Sequence, residues 1–204
     1  MTDEDVAAFG RCISVGGVGL FPADTVYGLG TEPDSDEGIR RLYELKGRSA
    51  QRPAAVMFFD PELALMALPE LGQRTSEAVA RLLPGPVTLV LPNPARRFPL
   101  ACGLEPERLG VRVPRLDGPL APLAVMRQPL LQSSANRSGG ADARRVEDVD
   151  DHIRRGVDVQ LDAGKLPGTA STVIDLCRYE MDAGYRVLRE GAMSAAAVES
   201  LLLA

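Results

Sequence analysis

Residues 18–59, VGLFPADTVYGLGTEPDSDEGIRRLYELKGRSAQRPAAVMFF, contain the alternation that decides the fold. An apolar run at 18–21 is followed by apolar residues at helical spacing at 35–45 and by a second apolar run at 54–59. Short apolar runs between turn residues favour strands, whereas apolar residues three and four positions apart favour a helix. This strand–helix–strand order is typical of α/β proteins.

The same alternation continues along the rest of the chain. Because no repeat and no low-complexity linker interrupts it, we expect a single domain over 1–204 with a sizeable, partly parallel sheet. The further predicted strands are 87–91, 110–113, 130–133, 172–176 and 185–188. The further predicted helices are 2–15, 75–83, 120–127, 146–155 and 194–203, with another beginning at Asp60-Pro61.

Composition excludes several classes of protein. The 204 residues are 45% hydrophobic and 25% charged, as in ordinary globular domains, and the net charge of −5 excludes a uniformly cationic nucleic-acid surface. The cysteines are odd in number, three, and have no CxxC spacing, so neither a disulfide framework nor a cysteine-rich zinc site is indicated. His152 is the one histidine, so histidine-dependent triads are disfavoured, and we expect it on a surface helix.

Neither an export signal nor a membrane segment is indicated. The N-terminus is acidic where a signal peptide is basic, and no apolar run approaches the ~18 residues that a membrane helix needs. We therefore expect a soluble, cytoplasmic protein. The common phosphate-binding loops are also missing, since no GxxxxGK[ST] is present and residues 16–19 do not complete GxGxxG.

Three polar clusters follow predicted strands or a helix. Residues 22–30, PADTVYGLG, combine a carboxylate, a hydroxyl and a phenol that suit a small polar substrate, or form only a β-turn with an Asp cap. Lys46, Arg48 and Arg52 bring three cations to one loop, either to chelate a polyanion or to complement a helix dipole as exposed charges. Residues 133–140, SSANRSGG, suit an anion, or are a polar loop without a function.

Three further polar groups lie on predicted strands. Arg112 interrupts the apolar run at 110–113, Ser171 and Thr172 open the strand at 172–176, and Arg189 follows Val187 and Leu188 of the strand at 185–188. An arginine within an apolar strand is costly to bury without an anionic partner. We therefore expect either an interior carboxylate or a bound ligand beside each arginine.

Taken together and in this order, these segments resemble the Sua5/YrdC/YciO family of threonylcarbamoyl-adenylate synthases. The matching pieces are PADTVYGLG, KGR with RP shortly after it, LPGPVTLVL, GVRVP, SSANRSGG, STVIDL and VLREGA, spread over residues 17–192. The resemblance implies a twisted mixed sheet flanked by helices, with a large concave groove. By its length the chain resembles the short YrdC form of the family, and we expect no additional C-terminal Sua5 domain.

The family's activity is implied with its fold. L-threonine, bicarbonate and ATP, with Mg²⁺, would be converted to L-threonylcarbamoyl-AMP and diphosphate. Partner proteins would then pass the threonylcarbamoyl group to adenosine 37 of tRNA. The protein would act by positioning the reactants and neutralising charge, with no dedicated metal site and no obvious general base.

The resemblance also assigns residues. Lys46, Arg48, Ser134 and Asn136 would be catalytic. ATP would be bound by Lys46, Arg48, Arg52, Asn136, Arg144 and Arg189, and L-threonine by Thr25, Arg112, Ser134 and Ser171. Since Lys46 and Arg48 are expected to be exposed loop charges, their removal should lower ATP affinity with little loss of stability.

Two other functions remain open. Arg40, Arg41, Arg48 and Arg52 would supply backbone contacts to double-stranded RNA or tRNA if the groove is an RNA-binding surface. Ala23 and Met57 stand where many relatives carry threonine and histidine, and Ser49 replaces a common proline. These departures raise the alternative of a related adenylating or carbamoylating enzyme that uses another amine.

Overall fold

A computed structural model describes residues 1–49 and 51–203. The helices are α1 (Asp3–Ser14), α2 (Asp36–Lys46), α3 (Pro61–Met66), α4 (Gln73–Leu82), α5 (Asp151–Gly156), α6 (Tyr179–Asp182) and α7 (Ala195–Leu203). The strands are β1 (Gly19–Pro22), β2 (Tyr27–Thr31), β3 (Ala55–Met57), β4 (Val87–Pro92), β5 (Arg108–Arg112), β6 (Leu130–Ser134), β7 (Val159–Gln160), β8 (Thr172–Arg178) and β9 (Gly184–Arg189). Three 3₁₀ helices span Pro99–Ala101, Gly118–Val125 and Val146–Asp148.

Within the described residues, nine strands form one mixed sheet in the order β7-β1-β2-β6-β3-β5-β4-β8-β9. The pairs β1–β7, β3–β5 and β4–β8 are parallel, and the other five neighbouring pairs are antiparallel. The predicted α/β class with a partly parallel sheet is therefore confirmed.

The two faces of the central strands differ in character. Residues paired across strands share a face, so each row of partners can be followed through the sheet. The row Leu131–Val56–Val111–Leu89 is completely buried and belongs to the hydrophobic core. The adjacent row, Gln132–Ala55–Gly110–Val90, has its side chains on the opposite face and lines a cavity. Functional side chains therefore project from one face of a sheet whose other face is core.

The helices begin and end where local chemistry dictates. Thr2 caps α1 by accepting from the Asp5 amide, and the Asp5 carboxylate accepts in return from the Thr2 amide at 2.7 Å. Gly47 ends α2 in the left-handed region at φ 57°, which a side chain would oppose.

Among the described residues, no helix is both long enough and apolar enough to cross a membrane.

Several predicted elements differ in the structure. The segment 22–30 was expected to be a turn, but Tyr27–Thr31 is a strand, because Gly28 and Gly30 lie against the Phe21 ring in a hairpin. The predicted helix at 120–127 is a 3₁₀ helix, since Pro122 lacks the amide that α-helical bonding needs. The predicted helix at 146–155 divides into a 3₁₀ turn and α5, which begins at the Asp150 cap.

Candidate active site

The cavity on the open face of the sheet has a volume of about 560 Å³. Its floor is built from small residues, including Ala55 and Gly110, which leave space above strands β3 and β5. Four arginines reach it, namely Arg48, Arg108, Arg112 and Arg189. A site with this volume and this charge suits an anionic ligand of nucleotide size.

Arg48 and Arg189 carry charge that the protein does not neutralise. Arg48 donates to Ser133 Oγ at 3.0 Å and to the Pro53 carbonyl at 2.6 Å. Arg189 donates to the Ser171 carbonyl at 2.8 Å. All of these acceptors are neutral, and no carboxylate of the described residues forms an ion pair with either guanidinium. The Nε atom of Arg48 is buried without a partner, and burial lowers the pKa of the group.

Arg112 is held differently, by an interior carboxylate. It is 4% exposed, forms an ion pair with Asp24 at 2.5 Å, and donates to the buried hydroxyl of Thr25. Burial lowers the pKa of Arg112, while Asp24 acts in the opposite direction. The expectation that Arg112 requires an anionic partner is confirmed, and its Nε remains buried without a hydrogen bond.

Arg108 on β5 is also paired. Its guanidinium lies 2.9 Å from Asp175 and 3.0 Å from Glu105. Although burial raises the pKa of Asp175, hydrogen bonds from Arg186 and from the Cys177 amide outweigh it and bring the value to about 2. This ion pair joins β5 to β8 and β9 at one side of the cavity.

Lys46 does not point into the cavity. Gly47 reverses the chain at the end of α2, so that Lys46 and Arg48 diverge. The Lys46 ammonium is buried beneath the loop after β6, where it donates to the Ser134 carbonyl, to the Asn136 carbonyl at 2.7 Å and to Asn136 Oδ1 at 3.0 Å. Burial, with a contribution from the charge of Arg48, lowers the pKa of Lys46 to about 8.

The expectation that Lys46 is an exposed loop charge is therefore wrong, because all three of its protons are used inside the protein. Asn136 lies behind the cavity wall with it and accepts from Ser134 Oγ at 2.7 Å. Of this group, Ser134 and Arg48 line the cavity, and Lys46 and Asn136 support them from behind. The fold thus brings the predicted K-x-R residues (Lys46 and Arg48) together with the predicted S-x-N residues (Ser134 and Asn136), one of each pair at the cavity surface and the other directly behind it.

The predicted residues are distributed as follows. Arg48, Arg112, Ser134, Ser171 and Arg189 line the cavity, and Thr25 lies directly behind Arg112. Arg52 and Arg144 lie outside the lining; Arg144 extends along Gly168 and donates to the Leu166 carbonyl at 3.4 Å. The ATP and threonine assignments remain predictions for all of these residues.

Several polar cavity residues were not predicted from the sequence, among them Thr88, Arg108 and Gln132. Thr88 lies 2.8 Å from Ser171 through their hydroxyl groups, and Arg108 and Gln132 project from β5 and β6. Gln132 directly precedes the SSAN segment, so its place in the motif was a usable signal. Nothing in the local sequence distinguished Arg108 or Thr88 from other strand residues.

Tyr27 ties the β1–β2 hairpin to a distant loop beside the cavity. Its hydroxyl lies 2.9 Å from Asp162 Oδ1 and 2.8 Å from the Gly164 carbonyl, and it accepts from the Ala163 amide at 3.1 Å. Burial raises the pKa of this phenol, with a further contribution from Asp162. Tyr27 is therefore a neutral structural contact at physiological pH.

The model for Sua5/YciO/YrdC proteins, whose description reads "Telomere recombination", matches residues 11–191. The chain belongs to this family. The resemblance drawn from seven short segments is therefore confirmed over most of the sequence.

Two curated relatives carry the same functional name. The chain is 30% identical over 156 residues to the threonylcarbamoyl-AMP synthase of Hahella chejuensis, covering 76% of this chain and 84% of that protein. It is 29% identical over 160 residues to the threonylcarbamoyl-AMP synthase of Pyrococcus abyssi, covering 78% of this chain. The match spans 47% of the Pyrococcus protein, about half of its length.

A solved structure agrees with the fold. The crystal structure of Pyrococcus abyssi Sua5 complexed with L-threonine has a TM-score of 0.82 and 25% identity to this chain. The similarity covers 98% of this chain and 58% of that one. That relative binds L-threonine in its crystal.

Proposed function

We propose that this protein is a threonylcarbamoyl-AMP synthase, converting L-threonine, bicarbonate and ATP to L-threonylcarbamoyl-AMP and diphosphate. The observation that carries the proposal is the pair of unneutralised arginines, Arg48 and Arg189, in a cavity of about 560 Å³. Guanidinium groups without an internal counterion suit the triphosphate of ATP, since they chelate phosphate oxygens in a planar, bidentate manner. The names of the relatives support the same reaction.

The amino acid would occupy the part of the cavity near Arg112 and the serine hydroxyls. Arg112 is already balanced by Asp24, so it offers its remaining donors without adding net charge to the site. Ser134 at the end of β6 and Ser171 directly before β8 supply hydroxyls from two sides of the cavity. Such a combination fits a zwitterionic substrate, whose own charges sum to zero.

The reaction then needs few groups from the protein. The amine nitrogen attacks the carbon of bicarbonate, and loss of water gives a carbamate. A carbamate oxygen then attacks the α-phosphorus of ATP, the bond to the bridging oxygen breaks, and diphosphate leaves with its electron pair. Arg48 and Arg189 would stabilise the charge that develops on the leaving diphosphate. The rigid sheet floor would hold the reactants in contact.

Mg²⁺ belongs to this proposal as part of the nucleotide substrate. In the part of the chain that the structure describes, no group of three or more His, Cys, Asp or Glu side chains is arranged to hold a metal. The carboxylate at the cavity wall, Glu105, is paired with Arg108. Because triphosphate oxygens are the hard ligands that Mg²⁺ prefers, we propose that the ion enters on ATP.

All of the groups invoked lie between residues 24 and 189, so we propose that this domain is sufficient for the reaction. The product would serve tRNA modification through partner proteins that accept the threonylcarbamoyl group.

RNA binding by this chain is less well supported, because Arg40 is paired with Glu37 and Glu44, and Arg41 with Asp158.

The test is diphosphate release by the purified protein with MgATP. We expect release only when L-threonine and bicarbonate are both present, together with a product of threonylcarbamoyl-AMP mass. Release that does not depend on threonine would contradict the proposal. A stabilising effect of another amine in its place would favour the alternative substrate.

A further inference from the structure

Gln132 is a polar side chain of the cavity floor that the proposed reaction has not used. It lies in the middle of β6, between Gly30 of β2 and Ala55 of β3 in the strand register. It is 9% exposed and lines the cavity. Among the described residues, none donates to its carboxamide or accepts from it. Its carboxamide is open to the cavity rather than enclosed in the core, so a ligand that covers it without hydrogen-bonding it would lose free energy.

The other neutral polar groups buried around the cavity are already engaged. Ser133 Oγ accepts from Arg48, and Ser134 Oγ donates to Asn136. The Thr88 and Ser171 hydroxyls bond each other, and the Tyr27 hydroxyl bonds the loop at 162–164. Within the described residues, Gln132 therefore differs from these groups in using neither the donors nor the acceptor of its side chain inside the protein.

The chemistry of an amide restricts what it recognises. A carboxamide presents a donor and an acceptor side by side and carries no charge. The carboxylate and phosphate groups of the substrates are better matched by arginines. An aliphatic hydroxyl both donates and accepts, and the adenine edge pairs an amino donor with a ring-nitrogen acceptor. Each of the two organic substrates therefore offers a group that an uncharged amide matches in both directions.

The position in the cavity favours the amino acid over the nucleobase. Gln132 stands on the floor, beside the one-carbon side chain of Ala55. The cavity's apolar side chains at the rim are much more exposed, with Leu104 at 73% and Leu188 at 50%. A flat base with apolar faces suits such a rim, whereas the small polar substrate suits the floor.

We infer that Gln132 is a specificity residue that hydrogen-bonds the side-chain hydroxyl of the amino acid, and so selects a β-hydroxy amino acid over an isosteric apolar one. This inference rests on the proposed function for the identity of the substrate. A site built to hydrogen-bond a hydroxyl rejects the analogue that lacks it, because its own polar group is then left unpaired.

The experiment compares L-threonine with L-valine, which has a methyl group in place of the hydroxyl. Binding of each is measured by calorimetry with wild type, Gln132→Leu and Gln132→Ala, and synthesis is measured separately by product mass. We expect wild type to bind threonine at least tenfold more tightly than valine. Both variants should lose most of this preference while their affinity for MgATP stays within twofold. The smaller alanine variant keeps the test valid should leucine disturb the fold.

Gln51→Leu is the matched control, since Gln51 also lines the cavity but is exposed. It should keep the preference for threonine. The inference is overturned if wild type binds valine as tightly as threonine, or if both Gln132 variants keep the wild-type preference. It is also overturned if they lose MgATP affinity alone, because the amide then contacts the nucleotide. Absence of synthesis together with hydroxyl-dependent binding would contradict the proposed function and leave the role of Gln132 supported.

Discussion

Replacing Lys46 by methionine should destabilise the protein by an amount that grows as the pH rises. Methionine keeps the length and the apolar stem but removes the ammonium that bonds Ser134 and Asn136. Removal leaves the Asn136 carbonyl without a donor, at a cost of about 1–3 kcal/mol, whereas the Ser134 carbonyl keeps the Asn136 amide and Asn136 Oδ1 keeps the Ser134 hydroxyl. The desolvation that the ammonium suffers offsets part of the loss of its three hydrogen bonds, so we expect a net cost of roughly 1–3 kcal/mol at pH 7.

The pH dependence follows from the lowered pKa of Lys46. The folded value is about 8, against 10.5 for an unperturbed lysine, and the difference corresponds to about 3 kcal/mol. Below the folded pKa, both states bind the proton and the folded state bears this full penalty. Between the two values the unfolded state binds more protons, so the wild type gains stability as the pH rises. Methionine does not titrate, and the gap between the two proteins should widen by about 1 kcal/mol from pH 7 to pH 9.

Urea unfolding at pH 7 and pH 9 measures this gap directly, because other groups titrate equally in both proteins and cancel in the difference. Lys165→Met is the control, since Lys165 is the other lysine of the chain and is exposed. Its effect should stay within about 0.5 kcal/mol at both pH values. A Lys46→Met gap that is constant or narrows with rising pH would refute the reasoning.

Three further predictions concern the other charges of the site. Arg48→Ala and Arg189→Ala should each raise the KM for MgATP at least tenfold, measured by diphosphate release, because each lacks an internal counterion; an unchanged KM contradicts the phosphate assignment. Asp24→Asn should lower the free energy of urea unfolding by about 3–5 kcal/mol, since it leaves the charge of Arg112 buried without its partner, and a change below about 1 kcal/mol would count against that ion pair. Asp175 has a folded pKa of about 2 against 3.8, so its stabilising effect is present above pH 3.8 and is lost as the pH falls towards 2. The stability difference between wild type and Asp175→Asn should therefore shrink by about 2 kcal/mol over that range, and acid titration that leaves it constant would exclude this origin.

Local sequence patterns were sufficient for those features that depend on neighbours along the chain. The helices at 2–15 and 35–45 were predictable, because their apolar spacing and their caps lie within the segments themselves. The strand at Tyr27–Thr31 was missed, since its glycines read as a turn and only the packing of Phe21 against them makes a hairpin. The order of the nine strands also depends on contacts between distant segments.

The sequence by itself determined the α/β class, the family and the residue types of the site, because motif order and periodicity are properties of the chain. Only the tertiary structure decided which charges are free. Lys46 and Arg48 are two residues apart, yet the ammonium of Lys46 donates to carbonyls 88 and 90 residues away, whereas Arg48 lines the cavity. Whether a cation is available to a ligand depends on the acceptors that folding brings to it, and those acceptors come from other strands.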